Sequence, residues 1–211
     1  MTLQGYQLAC ARGERELFKD INFDLHAGDA MRVAGTNGSG KTSLLRMLCG
    51  LAVATTGEVR WHGRNIRSVR EEFGSQLIYL GHANGVKDDL LAWENIVIGA
   101  TLSGNSVSRN DAYAALDQFG LARAANLPTR ALSQGQRKRV ALARLRFGTK
   151  TPLWILDEPF TALDQSAVSE LCGTLNNHLA HGGMVIYTTH QEIDLSAQRL
   201  LVLDLSRDAS C

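Results

Sequence analysis

Eight consecutive residues, Gly35-Thr36-Asn37-Gly38-Ser39-Gly40-Lys41-Thr42, have the spacing of a phosphate-binding loop. The glycines let backbone N–H groups turn inward and close on an anion at the start of a helix. Lys41 is placed to reach the β- and γ-phosphates of a nucleoside triphosphate, and the Thr42 hydroxyl to ligate Mg²⁺. Ser43 continues the cradle into the helix Ser43-Leu44-Leu45-Arg46-Met47-Leu48. A chance match to this pattern arises in on the order of one chain in a hundred of this length. The strand before it and the helix after it make chance a poorer account still.

Much later in the chain, Asp157 and Glu158 end the apolar run Leu153-Trp154-Ile155-Leu156. Adjacent carboxylates at a strand end are costly to leave without a cation. Asp157 is a candidate to hold Mg²⁺, directly or through water, and Glu158 to take a proton from an attacking water. Between loop and acids lies Leu132-Ser133-Gln134-Gly135-Gln136, where Ser133 reads as a helix cap with N–H groups behind it facing an anion. His190 closes a hydrophobic strand. For a lone histidine a core position is the better reading, but its place 32 residues after Glu158, on a neighbouring strand, lets its ring approach the same γ-phosphate.

These groups need a scaffold that brings strand ends together. Gln7 to Arg12 and Glu16 to Leu25 read as antiparallel strands, and Ala27-Gly28-Asp29 as a turn. Met31 to Ala34 is a short buried strand feeding the glycine loop; Glu58 to Trp61 and Gln76 to Leu80 are two more. From about Asp88 to Phe147 the periodicity becomes helical. One helix starts at Ser108, with Asp111 as its capping partner, and stops at Gly120. Another begins near Ser133, with Val140, Ala141, Leu142 and Leu145 on one side and Arg137-Lys138-Arg139 expected as a solvated face. Strands resume at Leu153 to Leu156, Met184 to Thr188 and Leu200 to Asp204. The pattern is an α/β sheet with a helical insertion. Trp61, Trp93 and Trp154 are expected in the core.

A chain of 211 residues can bury a substantial core, and 45% hydrophobic with 20% charged residues is ordinary globular composition. A net charge of +1 offers no electrostatic case for a nucleic-acid partner. Cys10, Cys49, Cys172 and Cys211 lack zinc or C-x-x-C spacing and are expected as free thiols in a reducing compartment. No secretory leader is visible, and no apolar run approaches the ~18 to 20 residues of a membrane helix. A role in transport therefore requires another polypeptide to supply the pore.

With these residues in order, the chain resembles the nucleotide-binding subunits of ABC transporters from Tyr6 to Asp204. The likeness implies a single P-loop, RecA-like ABC domain over 1–211. Its α/β core is expected at 1–81 and 149–211, and a helical signature subdomain at 82–148. Leu132 to Gln136 is similar to the family's signature motif, with Gln134 where glycine is commoner. Thr161-Ala162-Leu163-Asp164 is similar to its D-loop, and His190 to its switch histidine. The resemblance implies a head-to-tail pair of subunits in which each ATP is held by one phosphate loop and by the signature serine, Ser133, of the other copy, with Gly135, Gln136 and Asp164 also expected to bind nucleotide. His82 stands where the family has a glutamine, which implies a contact near the metal or the γ-phosphate. Arg12 stands near the place of an adenine-stacking aromatic. These two departures, together with Thr151-Pro152-Leu153-Trp154-Ile155-Leu156-Asp157-Glu158-Pro159-Phe160 and Thr188-Thr189-His190-Gln191, resemble the subfamily of ATP-binding subunits from bacterial cytochrome c maturation, the heme exporter protein A group. That likeness implies an ATPase on the cytoplasmic face of the inner membrane, held there by integral permease subunits of a heme-handling complex and working beside a heme chaperone. The alternatives are a subunit for another small substrate or a soluble ABC-type regulator.

Overall fold

The computed structural model describes residues 1–206. The chain opens with β1 (Thr2–Arg12) and β2 (Arg15–His26), an antiparallel hairpin linked by Gly13-Glu14. Gly13 adopts φ +63°, as a glycine-first two-residue turn requires, and turns of this kind match the twist of paired strands. Along the end of β2, Ile21, Phe23 and Leu25 point inward and their neighbours outward. β4 (Thr56–Trp61) pairs with β1, and β5 (Arg64–Asn65) with β4, completing a sheet of order β2-β1-β4-β5. β1 begins five residues earlier than the alternation predicts because its register with β2 shifts between Gly5 and Leu8, where Gln7 takes φ +45°.

The second sheet is parallel, in the order β6-β7-β8-β3-β9. Its strands are β3 (Ala30–Ala34), β6 (Leu77–Leu80), β7 (Leu153–Leu156), β8 (Met184–Thr188) and β9 (Leu200–Asp204). β7 and β8 are buried along their whole length, as strands covered on both faces must be. Alternate residues of β7 serve two cores. Leu153 and Ile155 join Met31, Val33 and Trp61 and the inner residues Leu44 and Leu48 of α1 (Lys41–Leu48). Trp154 and Leu156 join the opposite core with Ile96, Leu116, Val140 and Leu171. These last four belong to α3 (Ala92–Leu102), α4 (Arg109–Gln118), α5 (Gln134–Ala143) and α6 (Gln165–Ala180). A short α2 (Arg70–Gly74) precedes β6. Among the described residues no helix is long and apolar enough to cross a membrane.

Local chemistry explains the helical boundaries. Ser108 caps α4 and exchanges bonds with Asp111 in a capping box, and Gly120, at φ +67°, closes the helix. α3 starts at Ala92 rather than Asp88 because Asn95 clamps the preceding turn. Its Oδ1 accepts from the Lys87 N–H at 2.7 Å and its Nδ2 donates to the Lys87 carbonyl at 3.1 Å. In α6, His178 is 3% exposed and stacks on Trp154 with ring centroids 3.8 Å apart. Burial pushes its pKa down to about 4, so the ring is neutral near pH 7. Cys10, Cys49 and Cys172 are free, while Cys211 lies outside the described residues.

The expectation of a solvated Arg137-Lys138-Arg139 face is overturned. Lys138 is only 8% exposed. At 100° per residue it lies three and four positions before Ala141 and Leu142, both buried, so the helix carries it inward. Arg139 also turns in, donating to the Phe119 carbonyl at 3.3 Å and pairing with Asp164 at 3.5 Å.

Candidate active site

The carboxyl ends of β3, β7 and β8 lie side by side in the parallel sheet, and the site is assembled there, as is usual for ligands of open α/β sheets. Residues 35 to 40 form the loop from β3 to α1. Gly40 sits at φ +100°, and a Cβ there would meet Phe18 at 3.0 Å, so both the turn and the packing of β2 against the loop call for glycine. Lys41 lies across the loop's mouth, its Nζ donating to the Gly35 carbonyl at 2.8 Å and the Thr36 carbonyl at 3.0 Å. The Ser39 hydroxyl is buried with no hydrogen-bond partner among the described residues.

Asp157, at the end of β7, is 2% exposed. Thr42 Oγ1 donates to its Oδ2 at 2.8 Å and Thr188 Oγ1 to its Oδ1 at 2.9 Å. The Thr188 hydroxyl also accepts from the Glu158 N–H at 2.7 Å, so one side chain fixes both acids. Burial pushes the Cys49 thiol and the Tyr79 phenol up to about 12, and the charge of Asp157 adds to both shifts. Glu158 has a left-handed backbone, φ +49°, a strained state for a long side chain. Its two oxygens are held from different elements: Thr161 Oγ1 donates to Oε2 at 3.2 Å, and His190 Nε2 lies 3.6 Å from Oε1.

The oxygens of Thr42 and Asp157 suit Mg²⁺, a hard cation that keeps waters and substrate oxygens among its ligands. Among the described residues no cluster of three or more His, Cys, Asp or Glu could form an all-protein cage. Thr42 and Asp157 are thus the pair that would hold the ion.

A cavity of about 470 Å³ opens over the loop. Asn37, Gly38, Lys41 and Ser43 line its floor, and His82 and Glu158 one wall. Arg12 lines the opposite wall with Arg15 and Leu17, two residues that sequence reasoning passed over. Arg12 and Arg15 are cross-strand partners at the hairpin end, and neither makes an ion pair among the described residues. Like charges placed opposite each other destabilise a hairpin, and an anion bound in the cavity would relieve this.

The remaining site residues stand apart from this cavity. Ser133 caps α5, its Oγ accepting from the Gln136 N–H at 3.2 Å while Gln136 Oε1 accepts from the Ser133 N–H at 2.9 Å. Ser133 and Gln134 are exposed. A Cβ on Gly135 would meet the Ala162 carbonyl at 2.8 Å, so glycine lets α5 touch the turn after Glu158. Asp164 caps α6 through the Ala167 N–H at 2.9 Å. Ser133, Gly135, Gln136 and Asp164 therefore do not line the loop's own cavity.

A second cavity, about 280 Å³, lies on the other side of Glu158 and His82 and is lined also by Asn84, Gln134, Lys138 and Thr161. Burial lowers the pKa of Lys138, and the charges of Asp157 and Glu158 pull it back up.

A glycine loop between strand and helix, with an acidic strand end hydrogen-bonded to its threonine, defines a P-loop nucleotide-binding protein. The family model "ABC transporter" matches residues 18–161, and the chain belongs to that family. The cytochrome c biogenesis ATP-binding export protein CcmA of Nitrosospira multiformis is 52% identical, over 97% of this chain and 99% of its own length. The protein of the same name from Nitrosomonas europaea is 51% identical over 97% of this chain and 95% of its own. An ABC transporter ATP-binding protein from Pyrococcus furiosus shares the fold with a TM-score of 0.82 at 21% identity, each chain fully covered. A dimeric bacterial ABC transporter cassette does so with a TM-score of 0.79 at 24% identity, covering 96% of this chain and 94% of that one.

Proposed function

We propose that this chain is the ATP-hydrolysing subunit of a membrane complex serving cytochrome c biogenesis, with heme as the species handled. The single observation that carries the ATPase reading is the Glu158 carboxylate, held by Thr161 and His190 on the wall of the cavity that also contains Lys41. ATP would lie with its phosphates in the loop, Lys41 leaving the Gly35 and Thr36 carbonyls for the β- and γ-phosphates. Arg12 would lie against the base, as a guanidinium can stack on a flat ring. Mg²⁺, held by Thr42 and Asp157, would neutralise charge on the phosphates. His82, whose imidazole suits softer ions than Mg²⁺, would act beside the metal rather than as its ligand.

Glu158 takes a proton from a water whose oxygen bonds to the γ-phosphorus. The bond from phosphorus to the bridging oxygen breaks, and its electron pair stays on ADP. His190 steadies the Glu158 carboxylate from the far side. Ser133, Gly135, Gln136 and Asp164 face outward to meet the ATP of a second copy, an arrangement that makes ATP the link between two subunits. In this reading 1–211 is one domain, with 82–148 the helical part that carries Ser133.

The relatives named for cytochrome c biogenesis support the membrane role, in which permease subunits anchor the chain to the cytoplasmic face of the inner membrane beside a heme chaperone. A tagged pull-down from detergent-solubilised membranes tests it. Recovery of small multi-span proteins with a heme-binding partner is expected. Recovery of an unrelated permease would keep the ATPase and remove heme, and recovery of no membrane protein would remove the transport role.

A further inference from the structure

Lys138 is a buried cation that the chemistry above does not use. It is 8% exposed and forms no salt bridge or hydrogen bond among the described residues. An ammonium is expensive to bury without a partner, so its place in α5 asks for an anion. The space in front of it is the 280 Å³ cavity behind Glu158, large enough for an oxyanion and several waters. Arg137 lines the same space but is already paired with Asp88 at 3.2 Å. Lys138 is then the unpaired cation of this wall among its described residues, and Asn84 and Gln134 add neutral donors. Glu158 is the one carboxylate on the wall.

Glu158 and His82 are common to both cavities, so they form the partition between the nucleotide's γ-end and the rear space. If a second subunit covers the front of the nucleotide, the cleaved phosphate has no free way out on that side. We propose that the cavity lined by Lys138, Asn84, Gln134 and Thr161 is a binding site for inorganic phosphate, which receives the product from the γ-position. This rests on the ATPase reading above. Burial lowers the pKa of Lys138 although the charges of Asp157 and Glu158 pull it up, so these two carboxylates do not fully offset its burial.

The test is a titration of the full chain with inorganic phosphate in the presence of MgADP, following the side-chain nitrogen resonance of Lys138 by NMR on ¹⁵N-lysine protein. Phosphate is expected to shift this resonance saturably, and to do so also in K41A, in which the loop is crippled. K138Q is expected to weaken inhibition of ATP hydrolysis by phosphate at least about tenfold, and K138R to restore it to within about threefold. A Lys138 resonance that stays still at inhibitory phosphate overturns the site without any variant having to fold. Phosphate inhibition that is unchanged in K138Q assigns phosphate to the loop alone and also overturns it. Because the titration needs no turnover, it separates from the ATPase reading, which fails instead if the protein and its complex hydrolyse no ATP.

Discussion

Thr42 Oγ1 donates to Asp157 Oδ2 at 2.8 Å, joining residues 115 positions apart in the chain. With Thr188 on the other oxygen at 2.9 Å, the helix after the glycine loop and the ends of β7 and β8 converge on one buried carboxylate. This convergence turns three separate sequence signals into one site, and it defines what each substitution does.

Thr42→Val removes a hydroxyl that donates to Asp157 and that we propose as a ligand of Mg²⁺. The Mg²⁺ concentration for half-maximal ATPase is expected to rise about tenfold to a hundredfold. Chelation by EDTA is expected to abolish turnover. A Mg²⁺ titration of the variant checks both, and an unchanged midpoint removes Thr42 from the metal site.

Lys41→Ala takes away the proposed charge-assisted contact to phosphate, a kind of bond worth about 1.5–3 kcal/mol. ATP affinity is expected to fall about tenfold to a hundredfold, measured by calorimetry. The loss of its bonds to Gly35 and Thr36 also loosens the empty loop, detectable as faster amide exchange at those positions.

His178 gives stability a pH dependence of known sign. Its pKa is about 4 in the fold and about 6.5 in the unfolded chain. Between these values the unfolded chain binds a proton that the folded one refuses, so stability falls as pH drops from 6.5 towards 4. The loss is on the order of 3 kcal/mol across that window. Urea unfolding at pH 7, 5.5 and 4.5 measures it, and His178→Phe is expected to flatten the contribution while keeping the stack on Trp154.

Asp164→Ala deletes the cap of α6 and the partner of Arg139. Cap loss costs about 1 kcal/mol, which for a chain of this size lowers Tm by about 2–4 °C. A thermal melt of the nucleotide-free protein reads this, apart from any role of Asp164 towards ATP.

Much of this was legible because the signals are local. The loop is defined by glycine and lysine within eight residues, and the caps at Ser108 and Ser133 by a partner three positions on. The strands β7 and β8 are uninterrupted apolar runs. Other features depend on pairings no window contains. The bulge at Gln7 lengthens β1, and Asn95 delays α3 by clamping Lys87. Lys138 was hidden by composition, since three basic residues in a row suggest solvent. The helical phase against Ala141 and Leu142 held the opposite answer. Arg15 gained meaning only when its register placed it opposite Arg12.

The central claim, that Glu158 breaks an ATP shared between two copies, is tested most directly with Glu158→Gln. Sedimentation velocity with and without MgATP, beside a single-turnover ATPase assay, gives both halves of the answer. The account predicts ATP binding retained, hydrolysis slowed about 10²- to 10⁴-fold, and a dimer that forms with MgATP and dissociates without it. Wild-type hydrolysis by the variant, or a monomer saturated with MgATP, would contradict it.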